Sequence, residues 1–327
     1  MLKAAVGLPA AAAAGMAAGQ VHAEPADPFA ARDAGVRATL AKAKGTQLVL
    51  LGTGAGPTPG RARTMASSLL VHGDAVYVID CGLGVTDHFV RTGLRFQDVR
   101  SIFITHHHPD HNVEYGPFLM FAWLQTMHPA LRTFGPTTMR QMTDDYLRSM
   151  QNTIRYWAED FGMAPLQTVD AHDIDAGGPV MSDGLVKVSA LVVRHPPVTP
   201  AFAYRFDFPD KTVVFSGDTA FTPEMAGFAK GADILVHEAM DTRIITVEVE
   251  NQIRAGYAVS KERFLKHMYA DHTPAEDVGR IAQEAGVGTL VLSHLAPSRG
   301  VDDSEWIGLV RQHYSGRVVV GHDQMVV

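Results

Sequence analysis

A single cysteine, Cys81, stands in 327 residues, so no disulfide can form within the chain. An oxidising compartment would be tolerated without being used. Positive charge is also short. The 28 Lys and Arg face 35 Asp and Glu, and the net charge of −7 removes the general attraction to phosphate backbones that nucleic-acid binders show. Nucleotide signatures are missing as well. Residues 52–60, rich in glycine and proline, follow an apolar strand. They carry neither the Lys-Ser/Thr ending of a phosphate loop nor the Gly-x-Gly-x-x-Gly spacing. They read instead as a tight loop that rims an active site. No repeat of solenoid length is present. The apolar run over 4–18 is short and mostly alanine, which argues against a stable membrane anchor.

What is there is ordinary for a globular protein: 46% hydrophobic and 19% charged residues supply a core. Residues 1–23 combine Lys3, the alanine-rich run and Val21-His22-Ala23 at a cleavage position, which reads as a secretory signal peptide. The mature chain, 24–327, is then expected in the periplasm or outside the cell.

Chemistry concentrates in Ile104-Thr105-His106-His107-His108-Pro109-Asp110-His111-Asn112. An apolar run over 99–104 reads as a buried strand, so the histidines sit where a strand gives way to a loop. In extended backbone His106 and His108 point to the same side and His107 to the other. His107 is therefore assigned to packing or support rather than ligation. Pro109 is expected to keep the chain from entering a helix at once. His-x-His-x-Asp-His offers four nitrogen and oxygen ligands in six residues, which suits two metal ions better than one. Imidazole with carboxylate points to zinc, and iron or manganese would also accept these ligands.

Strands and helices alternate along the rest of the chain, as in two sheets covered by helices. Strands are expected over 46–51, 67–71, 75–80, 186–193, 201–208, 212–216, 234–236, 289–292 and 317–320. Helices are expected over 24–44, 86–92, 114–127, 137–161 and 274–285. Five strands run into a histidine or carboxylate: His106, His195, Asp218, His237-Glu238 and His294. Strand ends that converge on one edge can build a site. Within 137–161 the residues Met139, Met142, Tyr146, Met150, Ile154, Trp157 and Phe161 recur at helical spacing, a core or lid stripe with a homodimer face as the alternative. Residues 241–271 are longer than a plain connection needs and are expected to form a lid or substrate wall.

Taken together, Asp80, His106-x-His108-x-Asp110-His111, His195, Gly217-Asp218-Thr219 and Ser293-His294 resemble the metallo-β-lactamase superfamily over nearly the whole mature chain. The resemblance implies a four-layer αβ/βα sandwich with two zinc ions. His106, His108 and His195 would hold one, Asp110, His111 and His294 the other, with Asp218 bridging. A shared water would be activated by the ions, and Asp110 would orient it or receive its proton. His237-Glu238-Ala239 and His272-Thr273-Pro274-Ala275 look like motifs of the ribonuclease Z and arylsulfatase-like branch. By that resemblance His272 is the catalytic acid and Glu238 its orienter. Asp218 is not typical of β-lactamases, so the resemblance implies a small-molecule phosphodiester or sulfate ester as substrate. Lactone, thioester or β-lactam hydrolysis is the alternative, and a non-catalytic metal-binding protein the alternative of another class. The long basic arm often found in ribonuclease Z between the third histidine motif and the bridging aspartate is absent, which argues against nucleic acid as partner.

Overall fold

The computed structural model describes residues 30–60 and 62–327, and the expected signal peptide lies outside them. Helix α1 (Ala30–Lys42) leads into strand β1 (Thr46–Gly52) and the hairpin of β2 (Ser67–His72) and β3 (Ala75–Ile79). Then come α2 (Val85–Thr92), β4 (Val99–Phe103), the single turn α3 (Pro109–Asn112), α4 (Tyr115–Leu124) and β5 (Arg132–Pro136). Helices α5 (Met139–Ser149) and α6 (Gln151–Phe161) precede β6 (Asp170–Ile174). The second half opens with β7 (Gly178–Ser182), β8 (Lys187–His195), β9 (Val198–Asp207) and β10 (Thr212–Phe215). It continues with α7 (Glu224–Phe228), β11 (Ile234–Met240), α8 (Ile245–Arg254), α9 (Lys261–Asp271) and α10 (Ala275–Ala285). It closes with β12 (Thr289–Ala296), α11 (Asp303–Val310), β13 (Arg317–Val320) and β14 (Met325–Val326).

Two seven-stranded sheets result, in the orders β14-β1-β2-β3-β4-β5-β6 and β13-β12-β11-β10-β9-β8-β7. The last strand returns to the first sheet, where Val326 lies opposite Val49. Alternation along the strands decides the layers. Leu48 and Leu50 of β1 face the space between the sheets, while Val49 and Leu51 face the helices with Phe89 and Phe118. In β9, Phe202, Tyr204 and Phe206 point between the sheets, and the small Ala201 and Ala203 point outward to the layer that holds α7 and α10. Three apolar layers thus separate four layers of structure, the αβ/βα sandwich expected. Each fully buried Phe or Leu contributes about 1.5–3 kcal/mol of transfer free energy.

The structure also corrects the sequence reading. The stretch 137–161 is two helices, because Met150 leaves helical geometry at φ −96° and ψ 5°. Its stripe divides accordingly: Met139 and Ile154 are buried, whereas Trp157 and Phe161 stack on each other and stay exposed. Strands β5, β6 and β7 lacked a strand signal; Arg132-Thr-Phe-Gly-Pro and Asp170-Ala-His-Asp-Ile offer too few apolar residues to show alternation. Pro109 does not delay a helix. It starts one, as the first residue of α3, where a missing N–H costs nothing.

Candidate metal centre

The loop after β4 is fixed from below by Asp80, at the end of β3. Its carboxylate accepts the Thr105 backbone N–H at 2.7 Å and the Thr105 hydroxyl at 2.9 Å. The same carboxylate lies 2.8 Å from His111 Nδ1 and so holds the proton there, leaving Nε2 to face the site. His108 is extended, as a residue before proline must be, and α3 then carries Asp110 and His111 inward. The glycine loop closes over them. Gly56 N–H donates to Asp110 Oδ2 at 2.8 Å, and a Cβ on Gly56 would come within 2.4 Å of that carboxyl group. Only glycine fits there.

The second sheet adds single residues from three strands and a pair from a fourth, β11. His195 ends β8, Asp218 follows β10, and His294 lies within β12. His237 and Glu238 are not at a strand end as expected. They lie inside β11, where the pairing with β12 slips one residue after Glu238.

Two clusters of ligand atoms form. His106, His108, His195 and Asp218 make one, and Asp110, His111, Asp218 and His294 the other. His108 Nδ1 lies 3.1 Å from His106 Nε2 and 3.0 Å from His195 Nε2. Asp218 Oδ2 is 3.8 Å from His106 Nε2, 3.3 Å from His111 Nε2 and 3.2 Å from His294 Nε2, so one oxygen touches both clusters. Ligands about 2.0–2.1 Å from one tetrahedral ion lie about 3.3 Å from each other. Asp218 Oδ1 and His111 Nε2 are buried without a hydrogen-bond partner among the described residues, as groups aimed at cations would be. The residues therefore fit divalent metal ions.

The electrostatics agree. Burial holds His106, His108 and His195 below the ordinary imidazole range, His195 at about 3, so they present neutral nitrogens. Burial alone would also lower His111, but the carboxylates of Asp218, Asp80 and Asp110 outweigh it and raise its pKa. Burial would raise Asp110, yet His111 and His294 win and hold it ionised. His195 Nδ1 donates to the Asp271 carbonyl at 3.0 Å, which turns Nε2 toward the other ligands.

His272 lies next to this centre, at the end of α9, with its ring stacked on His294 at 5.6 Å. Its Nδ1 is 3.0 Å from Glu238 Oε2, and Glu238 also accepts the Thr219 N–H at 2.8 Å. Burial would lower His272, but the Glu238 carboxylate raises it to about 9. Glu238, His272 and His294 also form a third group with ligand spacing. His237 is buried with Nδ1 on the Glu238 carbonyl and is held at about 4 by burial; it packs beneath the site. His107 turns away, 3.3 Å from the Pro136 carbonyl, and joins no cluster.

A cavity of about 290 Å³ opens over the ligands His108, Asp110, Asp218 and His294. Residues 241–271 supply much of its wall through Tyr257, Val259, Arg263, Phe264, His267 and Met268. His267, whose Nδ1 meets the Asp271 carboxylate at 2.5 Å, has no signal in the sequence; its position follows only from how α9 docks.

A family model described as "Anti-Pycsar protein Apyc1" matches residues 46–257. Ribonuclease Z of Mycobacterium bovis is 29% identical over 282 residues, covering 85% of this chain and 96% of its own. Among solved structures, the metallo-β-lactamase fold protein YhfI from Bacillus subtilis superposes with a TM-score of 0.62 at 21% identity, over 86% of this chain and 98% of its own. Human tRNase Z, short form, does so with a TM-score of 0.62 at 19% identity, over 86% and 98%. Geometry and kinship together make this a metal-dependent hydrolase with the metallo-β-lactamase fold, and the chain belongs to the anti-Pycsar protein Apyc1 family.

Proposed function

We propose that the protein cleaves small phosphodiesters, with sulfate esters as the neighbouring class, at a centre of two zinc ions. His106, His108 and His195 would hold one ion, Asp110, His111 and His294 the other, and Asp218 both. When bound, the ions would bring a shared water's pKa toward neutrality and polarise the scissile group. Asp110, ionised and gripped by the Gly56 N–H, would orient that water or accept its proton. His272, protonated at neutral pH because Glu238 faces it, would donate a proton to the leaving oxygen.

The Glu238–His272 pair beside His294 is the observation that carries this reading. A buried imidazole raised by its own carboxylate, with Nδ1 engaged, has only Nε2 to offer, and it offers it next to the ligands. Kinship to proteins named ribonuclease Z supports phosphodiester chemistry and keeps RNA as the second reading of substrate. Against RNA stand the net charge of −7 and the plain β9–β10 hairpin between His195 and Asp218. The other readings, a lactone, thioester or β-lactam hydrolase and a non-catalytic metal protein, are separated by one experiment. Metal content is measured alongside turnover of bis-aryl phosphate, aryl sulfate, lactone, β-lactam and a short RNA. Two zinc per chain with diester or sulfate turnover is expected; lactone or lactam turnover alone would discard the role of His272. Export through a signal peptide at 1–23 is part of the proposal, and N-terminal sequencing of the exported protein tests it.

A further inference from the structure

We infer that Arg263 is a specificity residue that recognises a second negative charge on the substrate, borne by the half that is not bonded to the metal ions. This rests on the phosphodiester reading above. Arg263 is the only Lys or Arg among the described residues that line the 290 Å³ cavity. Its guanidinium has no hydrogen bond or ion pair with any described residue, while its backbone N–H is engaged by Ser260 Oγ at 3.2 Å. Lys266 and Arg254 nearby also lack a hydrogen-bond or ion-pair partner among the described residues, but neither lines the cavity, and other neighbours are paired. Arg243 pairs with Asp241, Lys261 with Glu250, and Arg299 with Glu248. An arginine left without a partner on a cavity wall keeps its planar fork of donors for a ligand carboxylate or phosphate.

Position along α9 says which part of the substrate it reads. His267 stands one turn later on the same helix face, and its ring centroid is 5.9 Å from that of His108. Asp271, another turn on, holds His195 through its carbonyl. At 1.5 Å per residue, the Arg263 backbone lies about 6 Å along the helix axis from His267 and about 12 Å from Asp271. A group bound there is separated from the scissile bond by the length of a ring rather than by one bond. A diester carries one charge at phosphorus, which the metal centre meets. A further charge at the far end of the substrate meets Arg263.

The test uses zinc-loaded enzyme at low salt, where an exposed guanidinium is least screened. Two substrates are compared: 4-nitrophenyl phenyl phosphate and the same diester with a carboxylate at the para position of the phenyl ring. A preference of at least about tenfold in kcat/KM for the carboxylated diester is expected. Arg263→Gln should bring the ratio near one, and Arg263→Lys should keep part of it, as a point charge without the fork. Equal kcat/KM for the two diesters in the unmodified enzyme, or an undiminished ratio in Arg263→Gln, overturns the inference. Calorimetric binding of 4-carboxyphenyl phosphate against phenyl phosphate provides a readout without turnover. If neither diester is cleaved, the phosphodiester reading fails; an Arg263-dependent binding preference would still uphold the subsite, and equal binding would overturn it.

Discussion

The cradle and two residues of the cavity wall, Tyr257 and Arg263, are held in opposite ways. In the cradle, His106, Asp110, His111, His195, Asp218 and His294 are each no more than 6% exposed, and most have a second partner that fixes the ring or carboxylate. Asp80 holds His111, the Asp271 carbonyl holds His195, and the Gly56 N–H holds Asp110. On the wall, Tyr257 is 38% exposed, Arg263 is exposed, and neither side chain has a hydrogen-bond partner among the described residues. Buried, doubly held groups keep a fixed geometry, which metal binding and proton transfer require. Exposed, unpartnered groups cost little to rearrange around a ligand. Under the proposed function, the difference places chemistry in the cradle and selectivity on 241–271. It also says how the two should fail.

The largest failure belongs to Asp218→Ala. One oxygen of Asp218 serves both clusters, so metal content and activity should fall together. The loss in turnover should exceed the 10–100-fold, roughly, that removal of a supporting partner causes. Metal analysis beside turnover checks this, and retained metal at both sites would remove Asp218 from its bridging place. His272→Ala comes next. It should lower kcat by about 10²–10⁴-fold and leave metal content intact. Loss of metal in that variant would instead give weight to the third group of ligand atoms, Glu238, His272 and His294.

How much of this contrast the sequence carries differs between the two regions for a physical reason. The first sheet delivers its ligands in one run, His106 to His111, because a strand, a proline and one helical turn suffice to place them. The second sheet delivers one residue per strand. His195, Asp218 and His294 have no local signature and gain meaning only together, through order and spacing like those of a known superfamily. The wall is less legible still. Its length marked 241–271 as more than a connection, but the docking of α9 selects Arg263 and His267, and no local pattern encodes docking. The same holds for β5 and β6, whose strand state comes from their neighbours in the sheet rather than from alternation.

Support within the cradle should show at intermediate size. Asp80→Asn keeps the shape but weakens the hold on the His111 proton, and about 10–100-fold lower metal affinity is expected by competition with a chelator. Unchanged affinity would mean that Thr105 and the loop backbone place His111 without help. Glu238→Gln acts on pH rather than on metal. Glu238 raises His272 to about 9, so the acid stays protonated below that value, and turnover should decline as pH rises through it. Without the carboxylate the His272 pKa falls toward or below the ordinary histidine value of about 6.5, and the alkaline limb of the kcat profile should move down with it. An unmoved limb would assign that limb to another group.

The smallest effect is expected on the wall, and it is the one that tests the contrast itself. Tyr257 lines the 290 Å³ cavity and also a neighbouring one of about 320 Å³, so it stands between them. Its ring packs on Phe264 at 5.4 Å, which leaves a flat surface for an aryl group of a bound ester. Removing it in Tyr257→Ala takes away an aromatic contact worth about 0.5–1.5 kcal/mol, which is roughly a two- to tenfold rise in KM for an aryl ester. Because Tyr257 has no hydrogen bond or ring contact with a candidate ligand among the described residues, kcat and metal content should hold. A fall in kcat comparable to that of His272→Ala would place Tyr257 with the cradle and collapse the division of labour. A KM effect confined to aryl substrates would sharpen it, since a ring that only selects cannot slow an ester that has nothing to stack.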